Sequence, residues 1–245
     1  MDASLADGPS QPPARELTVS GVIENALDLY RAHAATLILA GAAVFIVAAV
    51  VQAVLHDADS AILGLLGSIV TLVAAALFAG FVVTLVADVR DGKRDFTAGE
   101  LLSSASHAIL PLIGFAILFA LGVGIGFILL IVPGLFLLTI WSVGAPAIVV
   151  ERVGVFRAFG RSHELVRGHG WTVFGAIVTV WLILLVIGFV AAAIGIAIQG
   201  VVLSLVLAAI VNILTAPVAA LVSSVLFFEL GGGGPQAAPP AAAPV

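Results

Sequence analysis

Several short fragments of this 245-residue chain carry residue types that catalysis or metal binding uses. Gly160-Arg161-Ser162-His163-Glu164 sets a serine beside a histidine and an acid. A nucleophile elbow needs its second glycine where Glu164 stands, and it needs a strand-to-helix turn. This segment reads as helix. His163-Glu164 with His169 offers two imidazoles and a carboxylate, but the HExxH zinc pattern puts its histidines on one helix face. The six-residue separation here puts them on different faces. His56, Asp57 and Asp59 are donors that suit a divalent cation, yet a tight polar turn accounts for them without a ligand. Gly122-Val123-Gly124-Ile125-Gly126 lies inside an uncharged apolar block, where Gly122 and Gly126 at GxxxG spacing suit close helix approach and not a phosphate. There is no cysteine, which excludes disulfides, thiolate metal sites and cysteine nucleophiles. No catalytic residue, cofactor site or metal site is expected.

The positive signal is basic. Arg157, Arg161 and Arg167, with Trp171 at the level where aromatic residues meet headgroups, form a candidate contact for anionic lipid. The same arginines also suit ordinary anchoring of the topology. A wheel at 100° per residue places Val155, Phe156, Phe159 and Val166 in one arc, with Arg157, Arg161 and Glu164 roughly opposite. The segment 152–168 is therefore expected to be an amphipathic helix lying in a membrane interface.

Composition names the solvent around it. The chain is 62% hydrophobic and 9% charged, against about 25% charged in an average soluble domain. About 20 apolar residues cross a hydrocarbon core, and six such spans can be cut. Thr36–Leu55 and Ala61–Ala87 are the first two. Ala108–Val150 is uncharged over 43 residues, about 64 Å as one straight helix, so it must turn. Pro133-Gly134 marks the turn, giving Ile109–Val132 and Leu135–Val150. The uncharged block Trp171–Phe228 is expected to break at Gln199-Gly200. Pro146 and Pro217 are expected to kink spans four and six.

All six spans lack Asp, Glu, Lys, Arg and His between their ends. Ion pathways and proton relays use such residues, so an ion-coupled pump is not expected. The neutral polar residues Gln52, Thr71, Thr139, Ser142, Thr179, Ser204 and Asn212 are expected to satisfy nearby carbonyls or a neighbouring helix.

The nine Lys and Arg residues all fall before span one, between spans two and three, or between spans four and five. By the enrichment of cytoplasmic loops in Lys and Arg, both termini are expected in the cytoplasm. Each pair of spans follows a short amphipathic segment: Val19–Arg31, Phe96–His107 with a capping box at Thr97-Ala98-Gly99-Glu100, and the basic segment 152–168. Leu29-Tyr30-Arg31-Ala32-His33-Ala34-Ala35-Thr36 matches Leu165-Val166-Arg167-Gly168-His169-Gly170-Trp171-Thr172 at Leu, Arg, His and Thr. The fold class is thus all-α, a polytopic bundle of six transmembrane helices in three hairpins, each led by an interfacial helix. Residues 1–17 and the Gly/Pro/Ala-rich 231–245 are expected to be disordered tails around a membrane domain at 18–230.

Val132-Pro133-Gly134-Leu135, Ala145-Pro146-Ala147-Ile148-Val149-Val150-Glu151-Arg152 and the run from Ala158 to Trp171 resemble the bacterial membrane domain named for glycerophosphoryl diester phosphodiesterases. The segment Ile23-Glu24-Asn25-Ala26-Leu27-Asp28-Leu29-Tyr30-Arg31 is similar to that family's opening helix. In fused members the membrane part precedes a soluble phosphodiesterase barrel, and this chain continues for only about 15 residues beyond its last span. The resemblance implies a membrane domain without the barrel, no catalytic residue, and no assigned activity. The expected function is a non-enzymatic cytoplasmic-membrane protein that organises lipids or a membrane or cytoplasmic protein partner. The alternative is a carrier or channel component for a neutral or amphiphilic solute. No nucleic-acid partner is expected.

Overall fold

The computed structural model describes residues 17–56, 61–92, 108–198 and 201–234. Within them the chain is helical throughout: α1 Val19–Ala32, α2 Ala34–His56, α3 Ala61–Arg90, α4 Ile109–Leu129, α5 Ile131–Ile140, α6 Gly144–Glu151, α7 Val155–Val166, α8 Gly170–Ile198 and α9 Val201–Glu229. Six stretches are long and apolar enough to cross a membrane: α2, α3, α4, α5 with α6, α8 and α9. Helix is the form such a sequence must take, because lipid offers backbone groups no hydrogen-bonding partner. Side chains such as Leu39 and Ile128, 70% and 85% exposed, need lipid as their surroundings. The chain is an all-α, multi-pass membrane protein.

Antiparallel neighbours pair as α2/α3, α4/α5 and α8/α9. The last helix is the hub, packing on α1, α2, α3 and α8. Its inner face, Leu221, Val225, Leu226 and Phe227, meets Phe78, Phe81, Leu85 and Val86 of α3 in the main core. A smaller core gathers Leu112 and Phe115 of α4, Ile148 of α6 and Ala158 of α7. Both cores concentrate at the end of the bundle that carries α1 and α7. At the other end α8 runs exposed, with Phe189 and Ile196 open at 74% and 80%.

Two copies of the repeating unit lie among the described residues, and they keep one register. Val155 opens α7 136 residues after Val19 opens α1, and Gly170 opens α8 136 residues after Ala34 opens α2. Burial follows the same offset: Val22 and Ala158, Ala26 and Ser162, Leu37 and Val173 are all buried. Thr18 caps α1 by accepting the Gly21 N–H at 3.2 Å. Neither surface helix packs mainly on the hairpin it leads. α1 lies on α8 and α9, and α7 lies on α4, α5 and α6. The expected second surface helix, 96–107, falls outside the described residues.

Three expectations need adjustment. The third span does not end at Pro133-Gly134 but at Leu130, whose extended backbone (φ −166°, ψ 152°) separates α4 from α5. Proline lacks the N–H that would bond residue 129, and its ring collides with that carbonyl. Breaking the helix three residues earlier puts Pro133 in the first turn of α5, where neither cost arises. Span four breaks at Trp141–Val143, which likewise makes Pro146 the third residue of its helix, whereas Pro217 sits inside a continuous α9. Finally, Gly231–Gly234 is not a loose tail but a cap. Gly231, at φ 85°, and Gly232 donate to the carbonyls of Phe228 and Phe227 at 3.2 and 2.9 Å, a Schellman closure. Gln199-Gly200, the expected break of the last block, lies outside the described residues, between the end of α8 and the start of α9.

Candidate functional site

The basic helix α7 is positioned by the turn 152–154. Arg152 adopts a left-handed conformation (φ 51°, ψ 36°) at the end of α6, costly for a residue with a Cβ. That reversal brings the last residue of α6, Glu151, against Arg161 of α7. Arg161 Nε donates to Glu151 Oε2 at 2.8 Å and Nη2 to Oε1 at 3.0 Å, a two-pronged pair. The Glu151 side chain is only 4% exposed. The hydrogen bond to Glu151 holds the Arg161 guanidinium above its ordinary pKa, against an opposing contribution from burial. Gly233 in the cap of α9 also donates to Glu151 Oε1, at 3.3 Å. One carboxylate therefore ties α6, α7 and the end of α9 together.

The buried edge of α7 performs a second structural task. Ser162 Oγ donates to the Ile140 carbonyl at 2.8 Å and accepts the Val143 N–H at 3.2 Å. Those are backbone groups freed by the break between α5 and α6. Ser223 of α9 covers the same break by donating to the Ser142 carbonyl. Phe159 fills the space beside it, with ring centroids 4.5 Å from Phe115 and 4.7 Å from Trp141.

The three arginines expected to meet lipid thus divide. Arg157 and Arg167 are exposed, whereas Arg161 is half-buried in its pair with Glu151. The apolar face is also rotated from the wheel. Ala158, Ser162, Leu165 and Val166 are buried, and Phe156 is 81% exposed. Small residues at 158 and 162 let α7 approach its neighbours closely, which turns Phe156 outward. Gly168, at φ 94°, makes the sharp turn into α8, where Trp171 is 87% exposed. The outer side of this end therefore carries two exposed aromatic rings, Phe156 and Trp171, and two exposed cations, Arg157 and Arg167. Sequence reasoning put Phe156 on the packed arc of α7 and gave Glu151 no partner. A lone acid closing a 43-residue uncharged block was the available signal for Glu151.

The neutral polar residues of the spans mostly serve local bonds. Thr71 Oγ1 donates to the Gly67 carbonyl at 3.1 Å and reaches Gln52 Oε1 on α2 at 3.4 Å. Thr139, Ser142 and Ser204 each donate to a backbone carbonyl. Asn212 Nδ2 donates to the Ala208 carbonyl at 2.9 Å, and its side chain stands open. It borders a cleft of about 550 Å³ between α8 and α9, which Ser204, Thr215, Gly188 and Ala192 also line. His56 ends α2, and Asp57 and Asp59 lie outside the described residues.

No family model, curated protein or solved structure matches this chain.

Proposed function

We propose that this chain is a non-catalytic module of the cytoplasmic membrane that organises anionic lipid at its basic end. The observation that carries the reading is the outer side of α7 and the start of α8. Phe156 and Trp171 are 81% and 87% exposed, a heavy cost in water and none in a bilayer interface. Arg157 and Arg167 flank them with charges, each worth on the order of 1 kcal/mol beside an anionic surface. The placement of basic residues puts this end on the cytoplasmic side, the leaflet that is negative. The resemblance to the membrane domain of glycerophosphoryl diester phosphodiesterases agrees with a membrane module but supplies no activity.

The reading is tested with purified protein in mixed bilayers, where Trp171 is quenched by brominated phosphatidylglycerol or brominated phosphatidylcholine. Preferential quenching by the anionic lipid is expected, with the preference lost in Arg157→Ala/Arg167→Ala. Equal quenching by both lipids would remove the reading. The Arg161→Ala change is unsuitable for this purpose, because Arg161 is engaged by Glu151.

A second reading, a carrier for an amphiphilic solute, is favoured by the cleft at Asn212. Its volume lies within the ~300–1,000 Å³ of small-molecule sites, and an open carboxamide within a span needs a polar partner. Filling it with Ala192→Trp should abolish co-purification of an amphiphile detected by mass spectrometry. Wild-type protein that carries none would sink this reading.

A further inference from the structure

A second polar cavity, of about 470 Å³, opens where three elements end together. Leu17 and Thr18, just before α1, with Gly21, Glu24 and Asn25 of its first two turns, line one side, and Arg90 at the end of α3 and Glu229 at the end of α9 line the other. The arrangement is held, not loose. Asn25 Nδ2 donates to Glu229 Oε1 at 2.8 Å, which orients that carboxylate. The Arg90 guanidinium lies 4.8 Å from the centroid of the Phe228 ring, a cation–π contact that fixes the other charge. Among the described residues no ion pair joins Arg90 to Glu24 or Glu229, although all three border one cavity. Two carboxylates and one guanidinium are therefore presented to whatever enters.

We infer that this cavity binds the headgroup of a phospholipid carrying both a phosphate diester and a primary ammonium. The charges choose between headgroup classes. A purely anionic headgroup meets Arg90 but brings its charge toward two carboxylates. A purely cationic group satisfies Glu24 and Glu229 but opposes Arg90. A zwitterion places its phosphate on the guanidinium, which is built for oxyanions, and its ammonium on the carboxylates. A primary ammonium donates hydrogen bonds to those carboxylates, and a quaternary one has no N–H to give. The occupant is a lipid and not a free headgroup because of what precedes the charges. Arg90 and Glu229 close two apolar spans, so the cavity sits at the level of lipid headgroups and acyl chains would lie beside those spans.

This inference rests on the reading of the chain as a lipid-contacting module, but it uses none of the α7 residues. The full chain in detergent is titrated with phosphatidylethanolamine, phosphatidylcholine and phosphatidylglycerol of identical acyl chains, and bound lipid is counted by native mass spectrometry. Phosphatidylethanolamine should be retained over phosphatidylcholine by roughly fivefold, the equivalent of one charge contact at a membrane surface. Glu24→Gln/Glu229→Gln should abolish that preference, and Arg90→Gln should weaken retention of both lipids while Arg90→Lys restores part of it. Glu24→Gln alone, an exposed change on α1, keeps the test open if the double variant does not fold. Arg157→Ala/Arg167→Ala should lose phosphatidylglycerol and keep the phosphatidylethanolamine preference, so the two readings fail separately. Equal retention of the two zwitterionic lipids by the wild type would overturn the inference. So would an unchanged preference in the glutamine variants. Displacement of the lipid by an equal concentration of O-phosphoethanolamine would overturn the lipid as occupant.

Discussion

Arg161 shows how one residue's surroundings decide its task. Its paired hydrogen bonds to Glu151 engage a carboxylate that is 4% exposed. Removing the guanidinium leaves that carboxylate without its main partner, and the loss exceeds the worth of the pair itself. Arg161→Ala is expected to cost roughly 2–3 kcal/mol, below the range for fully buried pairs because the arginine is partly open to solvent. Arg161→Lys should recover only part, since an ammonium cannot make both parallel bonds. Denaturant unfolding in micelles measures both, and an alanine variant as stable as the wild type would contradict the assignment. The sign of the pH dependence follows from the raised pKa of Arg161. A folded-state pKa above the unfolded one gives stability that is lost only as pH rises through the folded value. Arginine's ordinary value already lies far above neutrality, so the guanidinium's share stays constant from about pH 6 to about pH 10. None of this pairing is visible on a helical wheel, which groups Arg161 with Arg157. Glu151 belongs to another helix and reaches Arg161 only through the left-handed turn at Arg152. The cavity of Glu24, Arg90 and Glu229 was equally hidden, being assembled from three distant segments.

At the scale of elements, glycine placement separates contacts that matter from those that do not. The GxxxG reading of Gly122 and Gly126 holds, and the helix approached is the chain's own next span. A Cβ on Gly126 would lie 2.9 Å from the Cα of Gly134, and one on Gly122 would overlap the Trp141 ring. Gly124, between them, has nothing within 4 Å. Gly126→Ala must therefore push α5 away and is expected to cost roughly 1–3 kcal/mol, as overpacking does. Gly124→Ala should be neutral or slightly stabilising, because alanine favours helix by up to about 1 kcal/mol. Thermal unfolding of the two variants side by side checks the contrast, and equal effects would refute the packing. Apolar block lengths made the number of spans legible, since a chain in lipid has few ways to place 43 uncharged residues. The turn positions were less legible. Pro133 signals that a helix must restart, but its chemistry is best satisfied inside the first turn of the new helix, so the break falls at Leu130.

For the whole molecule, the common register of α1–α2 and α7–α8 makes these two described units alike, each of the two surface helices laid across a different hairpin from its own. Such interleaving requires the surface helices to share one end of the bundle. Glu151 with Arg161, Asn25 with Glu229, and Arg90 with Phe228 all meet there. The side of the membrane that this end faces is set by charge, not by packing. Every Lys and Arg of the sequence lies in the segments that precede odd-numbered spans, the pattern on which the proposed cytoplasmic placement of this end rests. The absence of cysteine makes the question directly measurable, because any introduced thiol is unique. Asp57→Cys, between spans one and two, should react with an impermeant thiol reagent in intact cells. Gly92→Cys, two residues beyond α3, should react only after the cells are opened. The reverse pattern would invert the topology and with it the proposed encounter between Arg157, Arg167 and a negatively charged cytoplasmic leaflet. The fold, whose packing is indifferent to which side is which, would be unaffected.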